Sequence, residues 1–344
     1  LLEYSSLAVK TLFLGCAGFL SVSFLLFFLF SKKLPVYIST LLYKVGTGWM
    51  IILLYSFLLF VVFDLFRMVN EHMNWVPRFV ANQWYGVVAI VILVGLLCLY
   101  GFLNYLNKRR IYLQLTTRKE LKEPLKIVAI SDLHLGYAIR KKELKQWIEK
   151  INKENPDIVV IAGDIVDNST RPLEYYQLHQ YFKEIKAPLG IYTCLGNHEY
   201  LSGVGDSIRF MNNAGIQLLR DSAILLKDSF YLVGRDDRTN PHRKPLSKLL
   251  KGLDRSKPVI VLDHQPYYLE EAEENGVDIQ LSGHTHQGQV WPLSLIADAI
   301  YEDSHGYLKK GNTHIYVSSG IGIWGGRYRI GTQSEYVVVE FSGQ

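Results

Sequence analysis

The stretch "DIQLSGHTHQGQVWP", residues 278–292, sets the central question of this chain. An apolar run, Ile279 to Leu281, ends at Gly283, and His284 and His286 follow with one residue between them. Two imidazoles on a tight, Gly-flanked turn straight after a buried-looking strand demand a partner. Working outward, the same arrangement recurs. Short β-rich runs at 126–131, 157–163, 190–196, 230–234, 258–263, 278–283, 314–320 and 335–341 alternate with amphipathic stretches. One of these is "RKKELKQWIEKINKENP", whose Leu144, Trp147, Ile148 and Ile151 share one helical face. Such alternation predicts an α/β domain with buried strands.

The residues just beyond these runs carry the chemistry. "SDLHLG" supplies Asp132 and His134, "GDIVD" supplies Asp164 and Asp167, and "GNHEY" supplies Asn197 and His198. "VIVLD" is followed by His264, and the opening stretch adds His284 and His286. In open α/β sheets, ligands collect at the carboxyl ends of strands. The resulting set mixes nitrogen and oxygen donors without a thiolate, and is too large for one tetrahedral ion. It suits Mn, Fe, Zn or Co, not a dedicated calcium site. Asp167 reads as a brace for a ligand, Asp236 and Asp237 as a turn in preference to a substrate edge, and Cys194 as a small core residue. His72, His179, His242, His305 and His314 fall outside the blocks and read as ordinary.

Ahead of this region the composition differs. The chain is 49% hydrophobic, and the excess lies in its first third. Runs at about 11–31, 45–63 and 84–103 are uncharged, apolar all round, and close to the roughly 20 residues that cross a bilayer core. Trp49, Trp84, Tyr85, Tyr100 and Tyr105 stand near their ends, where amphipathic rings favour the interface. Residues 1–107 therefore read as an all-α transmembrane region, 108–125 as a basic linker, and 126–344 as the catalytic domain. Lys32, Lys33 and Lys44 precede the second span, and "NKRR", Arg118, Lys119 and Lys122 follow the third. Arg67 and Arg78 between spans two and three are offset by Asp64 and Glu71. This bias places the C-terminal domain on the cytoplasmic side. The lipid bilayer is an expected partner. The net charge of +5, without a long basic run, gives no sign of a nucleic-acid partner. Three scattered cysteines form no disulfide framework.

In order and spacing, "DLH", "GDIVD", "GNHE", a later His and "GHTH" resemble the calcineurin-like metallophosphoesterase family over about 126–341. "GHTHQGQVWP" and "SSGIGIWGGRYRIGTQSE" are similar to its membrane-associated bacterial branch. The resemblance implies a four-layer αββα sandwich and two divalent metal ions. It implies Asp132, His134 and His286 on the first ion, Asn197, His264 and His284 on the second, and Asp164 bridging. It implies His198 at the scissile phosphate, as charge stabiliser or acid. Arg329, in a Gly-rich turn, is a candidate substrate-binding guanidinium. The implied activity is hydrolysis of a phosphodiester or pyrophosphate bond. Within the branch, a nucleotide-linked lipid such as UDP-2,3-diacylglucosamine fits an inner-membrane enzyme with a cytoplasmic site. The alternative is a soluble small diester or cyclic nucleotide, with the spans as tether only.

Overall fold

The computed structural model describes residues 6–77 and 85–343. Arg78 and Trp84, used above for orientation and interface, lie outside the described residues. The chain divides into two compact units: 1–103 with Gly325–Tyr328, and the remainder.

Among the described residues, the first unit holds three helices, α1 (Leu7–Phe30), α2 (Val36–Met73) and most of α3 (Tyr85–Leu106). All three are long and apolar enough to cross a membrane. At 38 residues, α2 extends well beyond the run at 45–63, because helix continuity needs only intrahelical hydrogen bonds while the apolar window stops at the first charges. Helices α1 and α2 meet closely at Gly46, where a Cβ would lie 2.7 Å from that of Phe24. The Phe27 and Tyr43 rings pack beside this point, 4.8 Å between centroids. Outside such contacts, Phe28, Leu29, Phe57, Val62 and Leu96 are exposed, an arrangement suited to lipid and not to water.

The second unit is built on two six-stranded sheets. The first contains β1 (Arg109–Thr117), β2 (Leu125–Ile130), β3 (Ile158–Ile161), β4 (Ile191–Thr193), β5 (Gln217–Leu218) and β12 (Glu335–Gly343), in the order β1-β12-β2-β3-β4-β5. Strands β2 to β5 run parallel, and β12 is antiparallel to β2. The second contains β6 (Ser222–Leu226), β7 (Phe230–Gly234), β8 (Val259–Leu262), β9 (Ile279–Ser282), β10 (Gly306–Lys310) and β11 (Thr313–Val317), in the order β10-β11-β9-β8-β7-β6. Its four central strands are parallel, with antiparallel edges at β10 and β6.

Period-two alternation assigns the layers. Ile127, Ala129, Ile158, Val160, Val337 and Val339 from one sheet meet Leu232, Ile260, Leu262, Ile279 and Leu281 from the other. Cys194 lies in this inter-sheet core. The opposite faces are also buried: Val259 and Val261 pack with Leu246, Leu249 and Ala272 of short outer helices. Helix α4 (Lys141–Lys153) buries Leu144, Trp147, Ile148 and Ile151. The architecture is the expected αββα sandwich of two mixed sheets.

The segment expected as a linker, 108–125, differs. It contains β1, paired in parallel with β12 from Arg109↔Glu335 to Thr117↔Gly343. Its basic start masks an alternation of Ile111, Leu113 and Leu115, which dock on the inter-sheet core. Ile127, fully buried between the sheets, tests the sandwich. Ile127→Ala is expected to cost about 2–5 kcal/mol through transfer and cavity terms. This would appear as a lower thermal midpoint for the detergent-solubilised full chain, whereas an unchanged midpoint would contradict the packing.

Candidate metal centre

Each sequence-selected side chain stands where a parallel strand ends. Strand β2 leads to Asp132 and His134, β3 to Asp164 and Asp167, β4 to Asn197 and His198, β8 to His264, and β9 to His284 and His286. The backbone there is unusual. Asp132, His134, Asp164, His284 and His286 have φ of 53°, 44°, 54°, 73° and 49°. Non-glycine residues hold such conformations only when the surroundings over-determine them, at about 1–3 kcal/mol each. Mutual ties provide that constraint. Asp132 N–H donates to Gly163 O at 3.1 Å, and His134 N–H to Asp164 O at 3.0 Å. His284 N–H donates to Asp132 Oδ1 at 3.0 Å.

Two donor clusters result. In one, His134 Nε2 and His286 Nε2 are 3.0 Å apart, with Asp132 Oδ1 at 3.9 and 3.6 Å from them. In the other, Asn197 Oδ1 lies 3.1 Å from His264 Nε2 and 2.9 Å from His284 Nδ1. Asp164 reaches both, its Oδ2 lying 3.6 Å from His134 Nε2 and 3.1 Å from His264 Nε2. These donors fit divalent cations. Two imidazole nitrogens facing each other at this distance can share at most one proton, while several oxygens crowd around them. The mixed donor set without thiolate is that of borderline cations. The groups Asp132–His134–His286 and Asp164–His264–His284 each bring their ligand atoms within 4.8 Å of one another.

Charge states are sharply divided. Burial and the neighbouring His264 push His284 down to about 4. Burial, His134 and Arg329 push His286 well below its ordinary value. Both rings are neutral at pH 7 and offer lone pairs. Burial opposes protonation of His264, but Asp164 outweighs it and holds the ring cationic, so a cation must displace that proton. Burial likewise opposes protonation of His198, but Asp164 and Asp167 lift it to about 9. The backbone N–H of His198 donates to Asp164 Oδ1 at 2.9 Å, and the ring Nδ1 lies 3.4 Å from Asp167 Oδ1. Burial would raise Asp167, yet His134 and His198 hold it at about 2.

Arg329 corrects the sequence reading. It is fully buried, so it is not placed to meet a substrate. Its Nη1 donates to His286 O at 2.6 Å, Nη2 to the carbonyls of Ser319 and Gly322, and Nε to Ser334 Oγ. It fixes the turn that carries His286. A Gly-rich turn after a strand was a real signal for position, but it carries no information on burial. Asp236 and Asp237 are more than a turn. Both are buried. Asp236 accepts from Tyr200 Oη and Arg220 Nε, and Asp237 from Gln265 Nε2. Glu199 was missed. Its carboxylate accepts from the backbone N–H groups of Asp164, Val166 and Gly196, and burial beside Asp164 raises it to about 7. Glu199 reaching back to Gly196 N–H is the returning half of a capping box, without the other half because Gly196 has no side chain. His72, His179, His242, His305 and His314 join none of the donor groups found among the described residues.

Comparison with known proteins places this site in a family. The model for calcineurin-like phosphoesterases matches residues 125–288. An uncharacterised metallophosphoesterase of Aquifex aeolicus is 34% identical over 227 residues, 64% of this chain and 86% of that one. A Helicobacter pylori metallophosphoesterase, also uncharacterised, is 34% identical over 212 residues, 60% of this chain. The chain spans just over half, 56%, of that relative's length. A transmembrane protein with a metallophosphoesterase domain from Danio rerio is 28% identical over 332 residues, covering 91% of this chain and 76% of that one. The chain belongs to the calcineurin-like phosphoesterase family, a family of metal-dependent hydrolases. Its three described apolar helices, each long enough to cross a bilayer, mark it as a membrane protein.

Glycines form the floor of the centre. A Cβ on Gly283 would lie 2.4 Å from Asp132 Oδ2, and one on Gly196 would lie 2.2 Å from Asp164 Oδ1. Gly283→Ala is therefore expected to displace Asp132 and to leave the purified protein with much less bound metal by elemental analysis. Full metal content in that variant would contradict the geometry.

Proposed function

We propose that this protein is a membrane-anchored phosphoesterase that uses two divalent cations to hydrolyse a phosphodiester or pyrophosphate bond. The carrying observation is the placement of Asp164 Oδ2 within reach of both His134 and His264. On this reading Asp132, His134 and His286 would hold one cation, Asn197, His264 and His284 would hold the other, and Asp164 would serve both. Mn, Fe or Zn fits these donors. When bound, such ions supply positive charge for the phosphoryl oxygens and acidify water.

The protein's own groups do the rest. Neutral His284 and His286 present lone pairs without first losing a proton. Asp167 orients His134 and His198 from below. His198, cationic and less buried than its neighbours, is the acid that delivers a proton to the leaving oxygen. Arg329 acts indirectly as a positioning residue for His286. On the outer side, the Arg238 guanidinium lies over the Tyr267 and Tyr268 rings at 4.8 and 4.7 Å. Tyr267 in turn packs on Tyr301, whose ring is 6.2 Å from His284. This line of rings makes Arg238 a better candidate than Arg329 for an anionic part of the substrate.

For substrate, the membrane helices favour a lipid-borne phosphoester, and UDP-2,3-diacylglucosamine is the concrete candidate. The basic flanks of the spans favour a cytoplasmic site on a bacterial inner membrane. The detergent-solubilised protein with Mn²⁺ is expected to release UMP and lipid phosphate from UDP-2,3-diacylglucosamine. Turnover of cyclic nucleotides with none of the lipid would favour the soluble-diester alternative. Asp164→Asn is expected to lose both metal and activity. His198→Asn is expected to keep its metal and lose roughly 10²–10⁴-fold in turnover. In the parent enzyme, turnover should fall as pH rises and His198 loses its proton, at about 9 or lower where cations offset Asp164. His198→Asn should lack that alkaline limb, and its persistence there would remove His198 as the acid.

A further inference from the structure

A helix of the catalytic unit leaves its apolar face uncovered. It runs from Leu293 to Ile300, "LSLIADAI", and buries only Ala297. Leu293, Leu295, Ile296 and Ile300 are 40%, 59%, 56% and 57% exposed. At 100° per residue, these four and Ala299 occupy one continuous arc. Trp291, immediately before the helix, and Trp324 are also exposed. Their loops are joined, since Gln289 Nε2 donates to Trp324 O at 2.9 Å.

This face adjoins the metal centre at both ends. The helix starts five residues after the His286–Gly288 turn ends, packing on that turn. It ends at Tyr301, whose ring lies 6.2 Å from that of His284. We propose that this helix face, with Trp291 and Trp324, is a bilayer-contact surface on the rim of the metal centre. Its occupant is the interfacial layer of the phospholipid membrane. The catalytic unit begins at Asn104, inside the last turn of the apolar helix α3. Asn104 Nδ2 donates to the carbonyls of Arg329 and Thr332 at 2.9 and 2.8 Å. Asn104 thus ties the start of the catalytic unit to the residue that fixes His286, and the chain runs from that start directly into an apolar span. Leu and Ile on one face, flanked by indole rings, are the chemistry of a helix lying in the interface. The inference rests on the membrane reading and not on a particular substrate.

The test uses full-length protein in phosphatidylcholine–phosphatidylglycerol vesicles. Cys16→Ala and Cys98→Ala leave only the buried Cys194. Leu295→Cys, Ile296→Cys or, as control, Gln146→Cys on the exposed polar side of α4 then receives an NBD fluorophore. Lipids brominated along the acyl chain are expected to quench the label at 295 and 296 about twofold or more, and not at 146. Absence of quenching at 295 and 296, or equal quenching at all three, would overturn the proposal. Blue-shifted emission at 295 or 296 without quenching by lipid would also overturn it, because it would report a protein partner. No readout depends on turnover, so failure of the phosphoesterase reading would leave this result standing.

Discussion

A carboxylate taken out of water must find compensating charge and hydrogen bonds, and the site is organised around how Asp164 meets this constraint. It is buried together with Asp132 and Asp167. Separately, each would cost several kcal/mol without partners. The surrounding structure supplies partners in a fixed geometry: imidazoles from four different strand ends and the N–H of His198. Both sheets serve this arrangement, since β2, β3 and β4 of one and β8 and β9 of the other each contribute a turn. The left-handed backbone at five of the donor residues is the local cost. The glycines at 196 and 283 create the close approach that makes it possible.

Much of this was readable from the sequence because fully buried strands announce themselves. All eight apolar runs are strands, and the donors following them converge as the alternation implied. Edge strands carried weaker signals. Strands β5, β6 and β10 are largely half-exposed, so their alternation is diluted by polar residues. In β1, two arginines at the start concealed a period-two pattern that was present in "RRIYLQLTT". Tertiary burial was the property least accessible. Arg329 and Asp236 look like solvated surface residues by type, and only the fold shows that they are enclosed and fully engaged. Glu199 was detectable in principle from its spacing to Gly196, but its role depends on β3 lying beside it.

The membrane part and the catalytic part obey different solvents, and their boundary is informative. Apolar side chains left exposed on α1, α2 and α3 are tolerable only in lipid. Exposed leucine and isoleucine side chains also occur together on the short helix 293–300 of the catalytic unit. Arg329 connects these themes. Its guanidinium holds the His286 turn, while its own carbonyl accepts from Asn104 at the end of α3. The catalytic turn and the first residue of the catalytic unit therefore share one buried partner.

The central claim is that two cations occupy adjacent positions joined by Asp164. Electron paramagnetic resonance of the metal-depleted protein titrated with Mn²⁺ addresses it most directly. The structure predicts a spin-coupled dinuclear signal in the parent that is absent from Asp164→Asn. An isolated six-line Mn²⁺ spectrum at saturation would contradict the account, because it would mean that the imidazoles gathered at the strand ends hold a single ion.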